Sequence, residues 1–285
     1  MFAQSPNSQR GFSLIELMVG GTVGMVMLFA VSAVFLSSQR ASRQQRAQSE
    51  IAEEGRYALD TLKRFVMQAG YRQPDLNIPS ATAIFPPAPL NSEAIGSTGS
   101  DLILRFQGYG SLAYGCDGAA INLGTGNDWN QMSIALDSAN KKITCTPSSV
   151  ATGGATGGAA GTAVDLVGGT DSAVKVTAFE LQFGYDDTTN PSKYDVGCMY
   201  SSTIQGDCLA DSYKTAAQVG SNWNRVVAVR VCLKMETVKD AFEVSTAQKV
   251  LSCTDGSIAS QNSKKLIRTF TTTSSLRNLV RAKME

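Results

Sequence analysis

The N-terminal quarter of the chain joins a strongly apolar segment to an amphipathic one. From Phe12 to Leu36 the only ionisable side chain is Glu16. This apolar segment would form roughly 37 Å of α-helix, which is long enough to span a bilayer. Residues 37–50 are polar but contain neither proline nor glycine, so the helix can continue through them. Apolar residues then return with helical periodicity at Ile51, Ala58, Leu59, Leu62, Phe65, Val66 and Ala69.

One helix is therefore predicted from Phe12 to about Ala69. Gly70 is the predicted C-cap, and Pro74 lies a few residues beyond it. The stripe of apolar residues in the second half of this helix predicts that this half packs on the remainder of the chain.

The remainder of the chain has the patterns of a β-rich head. Strands are predicted at residues 101–107, 132–136, 142–146, 179–185, 225–235 and 266–272. The turn residues 137–140 predict a hairpin, and alternation places Val227, Val229, Val231, Leu233 and Met235 on one face. Loops are predicted at residues 73–100, 148–173 and 186–222, of which 148–173 is rich in glycine and alanine. A long helix followed by strands predicts the α+β class, with an antiparallel sheet against the second half of the helix.

The apolar segment admits two ordinary interpretations. A secretory signal peptide has an apolar core of only about 7–15 residues, which is shorter than this one. A single-pass membrane anchor fits the length but leaves Glu16 unexplained. A carboxylate within the apolar layer of a membrane costs about 2.5–3.5 kcal/mol, so it usually has a partner and a purpose.

The residues around Glu16 provide a third interpretation. The run Gly11-Phe12-Ser13-Leu14-Ile15-Glu16 resembles the processing signal of type IV prepilins and pseudopilins. The resemblance implies that a prepilin peptidase cuts after Gly11 and methylates Phe12 as the new N-terminus. It also implies that Glu16 neutralises the terminal amine of a neighbouring subunit. Residues 1–11 would then be the leader, 12–36 the transmembrane and filament-core helix, 37–72 its amphipathic half, and 73–285 a periplasmic head.

Composition limits the chemistry of the head. The chain has no histidine, which excludes a Ser/His/Asp or Cys/His nucleophile and any His-ligated metal site. We therefore expect no enzyme activity, no metal and no cofactor. A net charge of +1 gives the chain no overall electrostatic attraction to nucleic acid.

The six cysteines lie in the head and include no C-x-x-C pair, which favours disulfides over a zinc site. Sequence alone cannot choose among the possible connectivities. Pairing of sequence neighbours is the hypothesis we adopt: Cys116–Cys145, Cys198–Cys208 and Cys232–Cys253.

The charges that flank the apolar segment conflict with a periplasmic location of the head. Arg40, Arg43 and Arg46 follow the segment, whereas Arg10 is the only basic side chain before it. The positive-inside rule would place the head in the cytoplasm. The six cysteines require an oxidising head, and the resembled prepilins insert with the leader inside, so we predict a periplasmic head.

Within the pilin family the chain most resembles PilW-type minor pilins. The resemblance lies in the helix end LDTLKRFVMQAGYR and in the segments VTAFELQFGYD, WNRVVAVRVCLKME and FTTTSSLRN. It implies a minor pilin at the inner membrane and then at the pilus tip, which initiates pilus assembly. The implied partners are other minor pilins, the major pilin, the prepilin peptidase, the inner-membrane assembly platform and often a large tip adhesin.

Two alternative functions remain open at this stage. A type II secretion pseudopilin would share the leader, the helix and the membrane. A DNA-uptake pilin would use the basic C-terminal residues, which are Lys264, Lys265, Arg268, Arg277, Arg281 and Lys283. No aromatic residues alternate with these cations, so a solvated basic edge is the better interpretation and a nucleic-acid partner is not expected. Asp186, Asp187 and Asp195 match no calcium-binding loop and are interpreted as a polar turn.

Overall fold

A computed structural model describes most of the chain. The described residues are 13–71, 94–106, 112–118, 120–122, 129–150, 161–187, 198–199, 205–206, 209–276 and 278. They divide into two compact units, residues 1–46 and 47–285.

Helix α1 runs from Leu14 to Gln68 without interruption. It stops where Gly70 adopts a left-handed backbone, with φ of 76°. Glycine adopts this conformation without steric cost, which confirms its predicted role as the C-cap. The Gly70 N–H donates to the Arg105 carbonyl at 2.8 Å, and the Asn278 side-chain amide donates to the Met67 carbonyl at 2.8 Å. The end of the helix is thus tied to the head through its own backbone groups.

The strands of the head follow in chain order. They are β1 Ile95–Gly96, β2 Asp101–Phe106, β3 Leu112–Tyr114, β4 Ala120–Asn122, β5 Trp129–Asp137, β6 Lys142–Val150, β7 Val164–Val167, β8 Val174–Tyr185, β9 Cys198–Met199, β10 Gln205–Gly206, β11 Ser212–Lys214, β12 Val226–Thr237, β13 Thr246–Leu251, β14 Ile258–Ser263 and β15 Ile267–Ser275. A short helix, α2, spans Ala216–Val219, and a 3₁₀ turn spans Trp223–Arg225.

These strands form two principal antiparallel sheets. One has the order β1-β2-β5-β6-β7, and the other has the order β11-β8-β12-β15. The remaining strands pair as β3-β4, β9-β10 and β13-β14, also antiparallel. The structure therefore confirms the α+β class with an antiparallel head, and it divides the predicted strands between two sheets.

The hairpin predicted at residues 132–146 is the β5–β6 pair. Its turn depends on Asp137, whose carboxylate accepts hydrogen bonds from the backbone N–H groups of Ala139 and Asn140 and from the Asn140 side chain. These bonds, led by the Asn140 side-chain amide, lower the pKa of Asp137 below its usual value. Asp at the start of a turn satisfies local backbone donors in this way, which is why the turn could be read from the sequence.

Strand β12 departs from strict alternation at its start. Val229, Val231, Leu233 and Met235 lie in the hydrophobic core, as predicted, and Val227 is also buried. Val226, which strict alternation assigns to the opposite face, lies in the core cluster with them. The cause is a bulge between Val226 and Ala228 in the pairing with β8. A bulge adds one residue to a strand, so the alternation of faces shifts beyond it.

Three predicted loops contain regular structure. The segment 148–173 includes the end of β6 and all of β7, which pairs with β6 from Val167 to Val164. The segment 186–222 includes β11 and α2, and the segment 73–100 includes β1. Backbone pairing needs no large side chain, so short strands in glycine-rich or polar stretches leave little pattern in the sequence. The β13–β14 hairpin was also not predicted.

The buried face of α1 in the head combines small residues with larger aliphatic ones. The buried residues are Ala47, Ile51, Gly55, Ala58, Leu62 and Val66. Leu59 and Phe65, from the predicted stripe, are only partly buried and pack against the core. Gly55 was not predicted to lie on this face. A Cβ atom at Gly55 would lie 2.5 Å from the ring of Phe270 on β15, so helix and strand meet there in direct backbone-to-ring contact.

Gly55→Ala should therefore destabilise the protein by about 1–3 kcal/mol, the usual range for overpacking. At an unobstructed helix position the same change stabilises by about 1 kcal/mol. In a Phe270→Leu background, where the ring is gone, Gly55→Ala should become stabilising. Urea denaturation of the four variants in detergent, with Glu53→Ala as an exposed control on the same helix, measures this reversal of sign. Stabilisation by Gly55→Ala in both backgrounds would rule out the contact.

Candidate functional site

The first part of α1 exposes an extended apolar surface. Its large apolar side chains are at least half exposed, including Leu14 at 78% and Phe29 at 67%. The others in this segment are Ile15, Leu17, Met18, Val19, Val23, Met25, Val26, Met27, Leu28, Val31, Val34, Phe35 and Leu36. By length and composition, the helix is long and apolar enough to cross a membrane. Soluble monomers rarely expose an apolar surface of this size, so this segment requires lipid or other helices around it.

Glu16 lies in the first turn of this helix and is exposed. Among the described residues, the first backbone hydrogen bond at this end runs from the Leu17 N–H to the Ser13 carbonyl at 3.2 Å. The N–H groups of the first turn of a helix lack acceptors within the helix. A carboxylate is favoured at this end by the helix dipole. Gly11 and Phe12 lie outside the described residues, and their roles in processing stay predictions.

Two disulfides lie within the part of the head that the structure describes. Cys116, after β3, bonds to Cys145 on β6, with 6.3 Å between the Cα atoms. Cys232 on β12 bonds to Cys253, which lies between β13 and β14, with 5.5 Å between the Cα atoms. Both join sequence neighbours among the cysteines. The proposed third pair, Cys198–Cys208, involves Cys208, which lies outside the described residues.

Asp187, directly after β8, joins the end of this strand to β11. The Asp187 carboxylate accepts hydrogen bonds from the Lys214 ammonium at 2.7 Å and from the Ser212 hydroxyl. These two contacts, that of Lys214 first, lower the pKa of Asp187. Asp186 is buried, and Asp195 lies outside the described residues. Within the described ranges no group of three or more Cys, Asp or Glu side chains is placed to hold a metal ion.

The basic C-terminal residues are only partly within the structure. Lys264 and Arg268 are exposed, and the Lys265 ammonium lies 3.6 Å from Glu236. Arg277, Arg281 and Lys283 lie outside the described residues. Of the described cations, Lys265 is used in an ion pair within the head.

Sequence reasoning missed Gly55 as a packing residue. A signal was present, because Gly55 falls four residues after Ile51 and three before Ala58, on the same helical face. A glycine in a helix interior costs about 1 kcal/mol and therefore usually marks a close contact.

Comparisons with known proteins found a matching family model and a similar solved structure. Residues 134–278, just over half of the chain, match the family model described as Type IV Pilus-assembly protein W. A type IV-like pilin from Thermus thermophilus is a similar solved structure, with 14% sequence identity and a TM-score of 0.44 over 81% of this chain and 97% of its own. The search of curated proteins gave no match.

Proposed function

Because the chain belongs to the type IV pilus-assembly protein W family, we propose that it is a minor pilin that initiates assembly of a type IV pilus and stays at its tip. The family match and the helix-plus-antiparallel-sheet fold support a pilin of the pilus machinery.

The observation that carries this proposal is the exposed apolar segment of α1 with Glu16 as its one ionisable side chain among residues 14–36. A plain anchor gains nothing from a carboxylate that costs about 2.5–3.5 kcal/mol in the apolar layer. A helix that first lies in a membrane and then packs among other helices can use this carboxylate, provided that a cation of a neighbouring helix pairs with it.

The proposed processing, membrane insertion and assembly of the chain all involve this segment. Residues 1–11 are removed after Gly11, and the new N-terminal Phe12 is methylated. Residues 12–36 span the inner membrane, residues 37–72 continue the helix, and residues 73–285 form the periplasmic head. Glu16 then pairs with the terminal amine of a neighbouring subunit, and this pair sets how far one helix is shifted along the next.

Other minor pilins, the major pilin, the assembly platform and a large tip adhesin are the proposed partners. The size of the head supports the tip, because a bulky head is easier to place once at the end of a filament than repeatedly along its shaft. The two disulfides support an oxidising periplasm as the compartment of the head.

Removal of the chain from piliated cells tests the proposed function. Surface pili should almost disappear and should return when the wild-type chain is supplied again, because filaments cannot start without the initiating complex. Immunogold labelling of the restored filaments should mark one end. Normal piliation without the chain, or label spread along the whole shaft, would contradict initiation or tip location respectively.

A further inference from the structure

Strand β15 forms one end of the four-stranded sheet, and the described residues place no strand on its outer side. Near its start this outer edge is occupied by the β13–β14 hairpin. The Ile267 N–H donates to the Gln248 side chain at 3.0 Å, and the Thr269 hydroxyl donates to the Leu251 carbonyl at 2.7 Å. From Phe270 to Ser275, no hydrogen bond from a described residue reaches this outer edge; the inner edge pairs with β12. Unpaired backbone groups on an edge strand are a template for another strand.

Two surfaces flank residues 270–275 of β15. The first, called here the helix groove, is shallow, lies toward α1 and is lined by Arg56, Tyr57, Leu59, Asp60, Lys63 and Thr272. The second, called here the outer cleft, has a volume of about 450 Å³ and lies between the opposite face of the sheet and the loop after β13, with Thr271 and Thr273 at its β15 side. An added strand would point alternate side chains into the two surfaces.

Charge distinguishes the helix groove from the outer cleft. In the helix groove Asp60 is already paired with Arg64 at 2.9 Å, whereas Arg56 and Lys63 are exposed and have no ion pair with any described residue. This groove therefore presents two cations that await a partner. An incoming strand should carry acidic side chains at the positions that face α1.

The outer cleft has a different character. Its carboxylates are Glu180 and Asp255, and its one cation is Arg230. The Arg230 guanidinium lies 3.7 Å from the centroid of the Tyr213 ring and donates to the Gln182 side chain at 3.2 Å. Polar or basic side chains suit this surface better than acidic ones. The two surfaces together thus favour a strand of alternating chemistry.

We propose that β15 accepts an extended segment of a neighbouring pilus subunit as an additional strand, with acidic side chains directed into the helix groove. Backbone hydrogen bonds along residues 270–275 hold the segment, and the two flanking surfaces select its sequence. The existence of such a neighbour rests on the proposed function. The docking edge itself rests on β15, Arg56 and Lys63.

Hydrogen–deuterium exchange on the full-length protein in detergent tests the edge. Those amides of residues 270–275 that do not bond to β12 should exchange more slowly in the complex with partner pilins, purified from membranes, than in the protein alone. Unchanged exchange in an intact complex would overturn the proposal and leave the proposed function standing. Full protection in the isolated protein would also overturn it, because its own residues would then cover the edge. Failure to recover any complex with the wild-type chain would count against the proposed function as well.

Charge reversal tests the chemistry of the partner. The double variant Arg56→Glu, Lys63→Glu should lower recovery of partner pilins about tenfold, because interface charges set the encounter and the register of the two chains. The double variant Lys249→Glu, Lys264→Glu changes the net charge equally at exposed sites outside the groove and should keep wild-type recovery. Equal recovery with both variants, whether normal or lost, would overturn the proposal.

Discussion

Glu16→Ala should give a protein that is inserted, cleaved after Gly11 and stably folded, but that no longer joins the other minor pilins. If Glu16 only tolerated the membrane, its removal would help, because a carboxylate that costs about 2.5–3.5 kcal/mol would be gone. If Glu16 pairs with the terminal amine of a neighbour, its removal leaves that amine unpaired in the apolar layer. Breaking a buried ion pair costs about 3–5 kcal/mol, which corresponds to about a hundredfold or more in the association constant.

Co-purification of partner pilins from membranes, with a count of surface pili, measures this effect. Glu16→Gln should fail in the same way, because it keeps the shape of the side chain but removes its charge. Glu50→Ala removes one exposed carboxylate from the same helix outside the apolar segment and should behave as wild type. Normal co-purification and piliation with Glu16→Ala would mean that Glu16 is a bystander and that the head alone directs assembly.

Gly11→Leu should block processing and remove the chain from pilus assembly altogether. In the resembled prepilins the peptidase requires a small side chain before the bond that it cuts. The uncut protein would keep its leader and would lack the free amine at Phe12, so no ion pair with a neighbouring Glu16 could form. The full-length form should accumulate in the inner membrane with its head disulfides intact.

The mass of the membrane-extracted protein reports this block. Ser8→Leu places the same side chain elsewhere in the leader and should be processed as wild type. Maturation of the Gly11→Leu variant to the normal mass would show that Gly11 does not mark the cleavage site.

The helix and the class of the head could be predicted because their signals are local. The apolar run after Phe12, the stripe from Ile51 to Ala69 and the C-cap at Gly70 each follow from the geometry of a single helix. Strand β8 could also be predicted, because Phe179, Leu181, Phe183 and Tyr185 alternate in the sequence. All four are buried in the structure. Phe183 packs edge-on against Trp223 with 4.8 Å between ring centroids, which confirms that this aromatic face belongs to the core.

Features that depend on distant partners could not be predicted. The bulge in β12 brings Val226 into the core cluster while Val227 stays buried, and nothing in the local alternation marks it. The β14 strand, IASQNS, is mostly exposed and has no apolar face, so only its pairing with β13 creates it. The contact between Gly55 and Phe270 joins residues more than two hundred positions apart, and only the folded structure brings them together.

The candidate site shows the same division. Glu16 stands out in the sequence because a lone carboxylate in an apolar segment is costly. The edge of β15, which no strand of the described residues covers, and the cations Arg56 and Lys63 become a common surface only when helix and sheet are in place. Local sequence patterns therefore point to Glu16 and its apolar segment, whereas the proposed docking edge depends on tertiary packing.

The most direct test of the central claim, that this chain matures as a pilin, is the intact mass and N-terminal sequence of the protein extracted from membranes. The mature chain should begin at Phe12 with one added methyl group and should keep the whole apolar segment, with every cysteine oxidised. A chain that still begins at Met1, or that has lost the apolar segment, would contradict the account.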